Sequence, residues 1–233
     1  MINVRVFRAP DDPEACLRFY NGHLRLLEIY FGIAQVTSGN ADWMQHENTV
    51  VIIVEDDTRT KTYGGARVQL ADGKLPLPIE TAIGKYDPKI YDVVKPGSSA
   101  ELCAMWNSKE VAGMGIGSQV LARVGVVLAS QLPIQNYHVL CAPITTRVGK
   151  RVGYVIDESL GNKGTFFYPK DDFLATAMII TDCNNLEHAD PAEKLLIADL
   201  RANPEQTKIE VGPKGSYEVT YSLKIPTRTP TIL

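Results

Sequence analysis

Apolar positions change their period several times along the chain, and each change predicts an element. Ile2–Phe7 alternates like a strand. In DDPEACLRFYNGHLRLLEIYFGI the residues Leu17, Tyr20, Leu24, Leu27 and Tyr30 recur at helical spacing, which predicts a helix opening after Asp11 or Asp12 and packing on that face. TVVIIVED and TYGGARVQL are β-branched runs separated by DDTRTK and predict an antiparallel hairpin. Lys74–Ser99, which contains LPLP and DPK, reads as a surface excursion and not as a core element. Next come a strand AELCAMWN, a helix after GMGIGS, a strand NYHVLCAP, a short helix TTRVGKR and strands in GTFFYP and FLATAMIIT. The order is β-α-β-β-β-α-β-α-β-β. DCNNLEHADP, residues 182–191, is the one candidate boundary; beyond it AEKLLIADLRAN predicts a helix and KIEVGPKGSYEVTYSLKI a hairpin turning at Gly-Pro-Lys-Gly.

Composition narrows what such a chain does. With 233 residues, 45% of them hydrophobic and a net charge of -3, it can bury a sizeable core. No polybasic stripe exists to track a phosphate backbone and no apolar run reaches the roughly 18 residues of a membrane span, which argues against nucleic-acid and membrane partners. MINVRVFRAPDD lacks the sections of a signal peptide, so a cytoplasmic protein is expected. Cys16, Cys103, Cys141 and Cys183 are scattered, with neither C-x-x-C nor histidine at zinc spacing; free thiols and no metal are expected. His23, His46 and His138 fall on separate elements, which does not support a histidine-centred triad.

The informative stretch is GMGIGS. Glycines at 113, 115 and 117 let a turn bring successive N–H groups to one concave point just before a helix, whose positive end adds to them. Such a place suits a phosphate or pyrophosphate. The run has neither the Lys-Ser/Thr of a P-loop nor the G-x-G-x-x-G spacing of a dinucleotide fingerprint, and by itself it reads equally as a tight strand-to-helix connection.

Its flanks decide. Glu101 to Leu121 resembles the central acetyl-CoA motif of the GNAT acyltransferase superfamily, in which a strand E-L-x-x-L-x-V, a short link, R-G-x-G-I-G-S and an apolar helix follow one another. Here Glu101-Leu102-Cys103-Ala104-Met105-Trp106-Asn107 matches the strand and Gly113–Ser118 the loop, and Val120, Leu121, Val124, Val127 and Leu128 form the helix face. TTRVGKRVGYVI, at Gly153-Tyr154, is similar to the family's short helix ending in G-F. The resemblance implies an α/β acyl-CoA N-acyltransferase fold, a mixed, mostly antiparallel central sheet flanked by helices over residues 1–182, with 183–233 a helix and β-hairpin extension packed on it. It implies an acetyl-CoA or longer acyl-CoA co-substrate and a small-molecule amine or amino acid as acceptor. Met105, Trp106 and Asn107 would line the pantetheine arm through their main chain. Gly113, Met114, Gly115, Ile116, Gly117 and Ser118 would hold the pyrophosphate. Glu101 would be the general base, provided partial burial raises its pKa; the competing reading is a solvated or paired carboxylate at a strand end. Two positions depart from the family: Ala112 stands for its loop Arg or Gln, and Gly149 for the tyrosine that often protonates the thiolate. Cys103, Tyr137 and Tyr154 are the substitutes to weigh, against the simpler reading of each as core.

TRVGKRVGY also resembles the basic segment of the acyl-homoserine-lactone and N-acyl amino acid synthases, which use acyl carrier protein as donor. Gly65-Ala66-Arg67 ahead of LPLPIE fits that pattern, although Cys103-Ala104 replaces a serine-arginine pair. In that reading Arg67 binds the acceptor carboxylate or the carrier's phosphopantetheine, with a paired surface arginine as the competing reading, and Tyr154 is placed with it on the substrate side. A third reading is a binding or assembly module without turnover, which would fill the space past Trp106 and Glu101 with side chains, whereas an enzyme would keep a channel there. Phe166, Phe167 and Tyr168 either floor an acyl pocket with Val139 and Cys141 or belong to the core; the usual burial of aromatics favours the core.

Overall fold

The computed structural model describes residues 2–32 and 36–227, apart from the side chains of Tyr30, Phe31 and Ser118. Among the described residues ten strands form one sheet: β1 (Ile2–Arg8), β2 (Thr49–Glu55), β3 (Thr62–Leu70), β4 (Ser99–Asn107), β5 (Asn136–Cys141), β6 (Val155–Ile156), β7 (Thr165–Phe167), β8 (Leu174–Ile180), β9 (Glu205–Gly212) and β10 (Gly215–Ser222). Their order is β6-β8-β5-β4-β3-β2-β1-β10-β9, with β7 also paired to β8. Only β1–β10 and β4–β5 run parallel; the other pairs are antiparallel. The sheet is thus mixed and mostly antiparallel, as expected.

Both faces are covered, which explains why TVVIIVE is apolar at nearly every position. Val50, Ile52 and Val54 belong to the core under α4 (Leu121–Ala129), while Val51 and Ile53 meet α1 (Pro13–Phe31) on the other face. Asp12 caps α1 by accepting the Ala15 N–H at 3.0 Å, and Pro13 takes the first helical position, where a missing N–H costs nothing. The face expected for this helix needs correction. Of the expected positions Leu27 is buried and Tyr20 and Leu24 are half-buried, the Tyr30 side chain lies outside the described residues, and Leu17 is exposed; Ala15, Cys16, Phe19 and His23 are buried instead. The leucine spacing hid a narrower stripe whose members include a cysteine and a histidine.

The proline-rich stretch also needs correction. Within residues 74–99 lie α2 (Pro78–Ile83) and α3 (Ile90–Val93). Leu77, Ile79, Ile83 and Ile90 are buried, and they form a core cluster with Ala71, Phe166 and Ala177 on the α1 side of the sheet. Pro78 starts a helix instead of breaking one, and Glu80 accepts the N–H of Leu77 at 2.7 Å, the return half of a capping arrangement.

α5 (Pro143–Arg151) follows β5, and α6 (Pro191–Ala202) packs on α4. The last hairpin does not lie on the sheet but extends it, since β10 pairs with β1. Arg123 of α4 ties these parts together. Its Nε donates to Glu193 of α6 at 2.8 Å and its Nη1 to Glu210 of β9 at 2.9 Å, and the Tyr221 hydroxyl adds a bond to Glu210 at 2.8 Å.

Candidate active site

The site begins with a failure of pairing. β4 and β5 are paired only where Ser99–Glu101 meets Asn136–His138, although β4 continues to Asn107 and β5 to Cys141. On the other edge of β4, Arg67 pairs with Cys103 and Gly65 with Trp106, so Ala104 and Met105 stand opposite the single residue Ala66. This is a bulge. It carries Ala104 into the left-handed region at φ +52°, a conformation that costs a side-chain-bearing residue about 1–2 kcal/mol. Bulges bend strands, and here the bend falls where β4 leaves β5.

The parting strands open a cavity of about 230 Å³. Leu102–Met105 of β4 and Val139–Cys141 of β5 form its walls, and His23, Leu26 and Leu27 of α1, Ala142, Ile144 and Thr145 at and within α5, and Tyr168, Phe173 and Ala175 add to the lining. Most of these side chains are apolar. His23 is the imidazole among them; burial, with the Arg67 charge, lowers its pKa to about 4, so it is neutral at physiological pH.

Behind the Cys103 wall, on the same face of the sheet, lies a buried polar group. Glu101 is 2% exposed, and one carboxylate oxygen accepts the main-chain N–H of Ile79 at 2.7 Å. Burial raises its pKa to about 8, against the opposing pull of that bond and of Arg67. Arg67 is itself only 1% exposed. Its Nε donates to the Cys103 sulfur at 3.2 Å, its guanidinium lies 4.8 Å from the Trp43 ring centre, and its Nη1 has no hydrogen-bond partner among the described residues. The competing reading of a paired surface arginine therefore does not describe it. Burial pushes the Cys103 thiol up to about 12, so it stays protonated.

At the far end of β4 the chain turns through Gly113 (φ +84°) and Gly115 (φ +83°) into a π-helical turn, Ile116–Val120, that runs on into α4. Positive φ is what glycine supplies at the first two positions. Gly117 answers a different need, because the space a Cβ would take is filled by the Asn107 side-chain oxygen. The first N–H groups of this helix have no intrahelical acceptor, as at any helix start.

Glu101, Arg67 and Cys103 are thus brought together, with Met105 on the cavity wall and Asn107 against the loop. Trp106 turns its ring away, against Gly22 and Phe19 of α1. Tyr154 is not brought to this place: it is buried with Tyr137 in the core beneath α4, their ring centres 5.8 Å apart, on the sheet face opposite Glu101. The loop's sixth residue, Ser118, contributes main chain here, its side chain lying outside the described residues. Of the three aromatics read as core, Phe166 is buried, Phe167 is 60% exposed, and Tyr168 lines the cavity while its hydroxyl accepts the Thr37 N–H at 2.7 Å. Sequence reasoning missed His23, Leu26 and Leu27 as cavity residues. The signal was present, a histidine on the apolar face of α1. Among the described residues no group of three metal-binding side chains occurs, and no helix is long and apolar enough to cross a membrane.

Comparison with solved structures gives the arrangement its place. FeeM, an N-acyl amino acid synthase from uncultured soil microbes, superposes with a TM-score of 0.59 at 14% identity over 84% of this chain and 98% of its own. The chain has the acyl-CoA N-acyltransferase fold. BjaI, a CoA-dependent acyl-homoserine lactone synthase solved with SAM and isopentyl-CoA, shares this fold at TM-score 0.54 and 14% identity, over 87% of this chain and 89% of that one. So does NAA60 of Arabidopsis thaliana, solved with a bisubstrate analogue, at TM-score 0.51 and 13% identity over 77% and 97%. No family model and no curated protein sequence matches the chain. At such identities the likeness is one of acyltransferase fold, and the chemistry rests on this chain's own residues.

Proposed function

We propose that the protein is an N-acyltransferase that moves an acyl group from a CoA thioester to a small amine or amino acid. The observation that carries this reading is the apolar cavity at the parting of β4 and β5, with a buried carboxyl of raised pKa behind its wall. A module that filled this space with side chains would lack the cavity, although neither Trp106 nor Glu101 lines it. The donor's pantetheine arm would run along the free edge of β4 past Met105–Asn107, its pyrophosphate against Gly113–Ser118 and its acyl chain in the cavity.

The acceptor nitrogen attacks the thioester carbonyl, a C–N bond forms, the C–S bond breaks, and the nitrogen loses a proton. Glu101 does not line the cavity, so it takes that proton through a relay, as a base reached across one water can. A base of pKa about 8 is well matched to the task, and it can return the proton to a leaving thiolate, whose pKa is ordinarily about 8.5. This removes the need for the missing tyrosine. Cys103, at about 12, is too weak an acid to do it, and Tyr137 and Tyr154 lie on the wrong face. Arg67 supplies a buried cation on the Glu101 side of the sheet, its Nη1 without a hydrogen-bond partner among the described residues, to meet an acceptor carboxylate.

The second reading, donation by acyl carrier protein, is favoured by the same cavity, because a long acyl chain is common to both donors. Affinity measured across acetyl-, butyryl- and octanoyl-CoA beside octanoyl carrier protein separates them. Affinity rising with chain length supports the proposal. Binding to the carrier protein alone would replace the CoA donor, and binding of none would remove the acyltransferase reading.

A further inference from the structure

The tip of the C-terminal hairpin rests on the glycine loop. The main-chain N–H of Lys214, in the turn between β9 and β10, donates to the carbonyl of Gly113 at 2.9 Å. A Cβ placed on Gly113 would lie 2.7 Å from Cε of Lys214 and 2.8 Å from its Cδ and Cγ, so the lysine stem lies directly over that glycine. Gly212, at the other side of the turn, is as close to the main chain of Met114 and leaves no room for a side chain. Two close approaches therefore fix the tip against the point where the chain turns toward α4.

A lysine held this way has its stem packed and its ammonium group at the end of a four-carbon reach. Lys214 is exposed, and among the described residues its ammonium group has no hydrogen bond or ion pair. Lys61, by contrast, is paired with Glu110 of the segment leading into the loop. The loop itself carries alanine, not a cation, at position 112. The positive charge brought to Gly113 thus comes from 101 positions further along the sequence, through the hairpin.

We propose that Lys214 is the side-chain anchor for the phosphate groups of the donor, and that the hairpin is held against the loop to deliver it. The inference rests on the CoA-donor reading above. Its chemistry is a compact cation beside main-chain donors, a pairing suited to a phosphate ester or diphosphate. A donor thioester without phosphate should be indifferent to it.

Calorimetry with octanoyl-CoA and with octanoyl-pantetheine, which lacks phosphate, tests this on wild type, Lys214→Ala and Lys214→Arg. The alanine change should weaken octanoyl-CoA binding on the order of tenfold at low ionic strength and less in high salt, because an exposed charge is screened. Octanoyl-pantetheine affinity and thermal midpoint should not move, and arginine should retain most of the binding. Equal octanoyl-CoA affinity in wild type and Lys214→Ala would overturn the role of Lys214, as would an equal loss for octanoyl-pantetheine, which would mark a structural effect. A wild type that binds neither ligand would overturn the donor reading itself.

Discussion

Glu101 of β4 and Ile79 of α2 are joined by a 2.7 Å hydrogen bond from the Ile79 main-chain N–H to the Glu101 carboxylate. The bond bridges the sheet and the short helix that covers it, and it holds a carboxyl that burial alone would keep protonated to higher pH. Burial raises the pKa, while this bond and the Arg67 charge bring it back to about 8. The cover helix thus tunes the carboxyl's pKa as well as shielding it.

If Glu101 is that base, the deprotonated form is the active one and kcat/KM rises with pH through about 8. Glu101→Gln should lower turnover roughly 10²–10⁴-fold, leave octanoyl-CoA affinity nearly unchanged and remove that limb of the profile. Steady-state rates from pH 6 to 9.5 with one acceptor decide it. A variant active at every pH would take Glu101 out of the mechanism.

The same shift makes a stability prediction. Glu101 holds its proton in the folded protein up to about pH 8, but in the unfolded chain loses it near 4.5, so the folded state binds more protons in between. Its contribution is full below the unfolded value and is lost as pH rises through about 8. His23 and His138 act oppositely: both are lowered to about 4, so the stability tied to them fades as pH falls from about 6.5 toward 4. Between pH 6.5 and 8 the Glu101 slope therefore stands apart from theirs, at up to about 1.4 kcal/mol per pH unit. Urea unfolding should show stability falling over that window in wild type and a flatter course in Glu101→Gln. Parallel curves would refute the raised pKa.

Much of this arrangement was legible in the sequence, but for uneven reasons. The strand–glycine loop–helix unit was readable because its residues are contiguous and each glycine has a local task. The mixed sheet was expected from the resemblance to the GNAT fold, with which the order of elements agrees. The cavity was only half readable: Val139 and Cys141 were anticipated, while His23 and Leu26 come from α1 positions outside its predicted face. Prolines at 76, 78 and 88 suggested an open loop, yet Pro78 starts the helix that covers Glu101. No local pattern indicates that Lys214 meets Gly113, since the contact depends on a hairpin adding to β1 at the sheet's other side.

Arg123 decides whether the C-terminal segment behaves as part of the same cooperative unit. It is buried between Glu193 and Glu210, on two separate C-terminal elements, and removing it leaves two carboxylates short of a partner. Breaking a buried pair on one side typically costs about 3–5 kcal/mol. Arg123→Ala should lower stability by that order and raise hydrogen exchange first in α6 and the β9–β10 hairpin. Exchange that stays native-like there would show that the hairpin is held mainly by its ladder with β1.

If the acyl chain occupies the cavity as proposed, Ala142 is where the choice of acyl group can be changed. It lines the cavity, is half-buried and precedes α5 with an extended backbone that any residue adopts, so a larger side chain can enter without backbone strain. Lengthening the donor from acetyl to octanoyl adds six methylenes, and at about 0.8 kcal/mol for each one fully buried the gain reaches at most about 5 kcal/mol. Acetyl needs almost none of this space. Ala142→Phe should therefore cost octanoyl-CoA at least tenfold in affinity while acetyl-CoA binds as before, read by calorimetry on both donors. An equal loss for both would place the new ring on the pantetheine path instead, and no loss for either would mean that the acyl chain lies elsewhere.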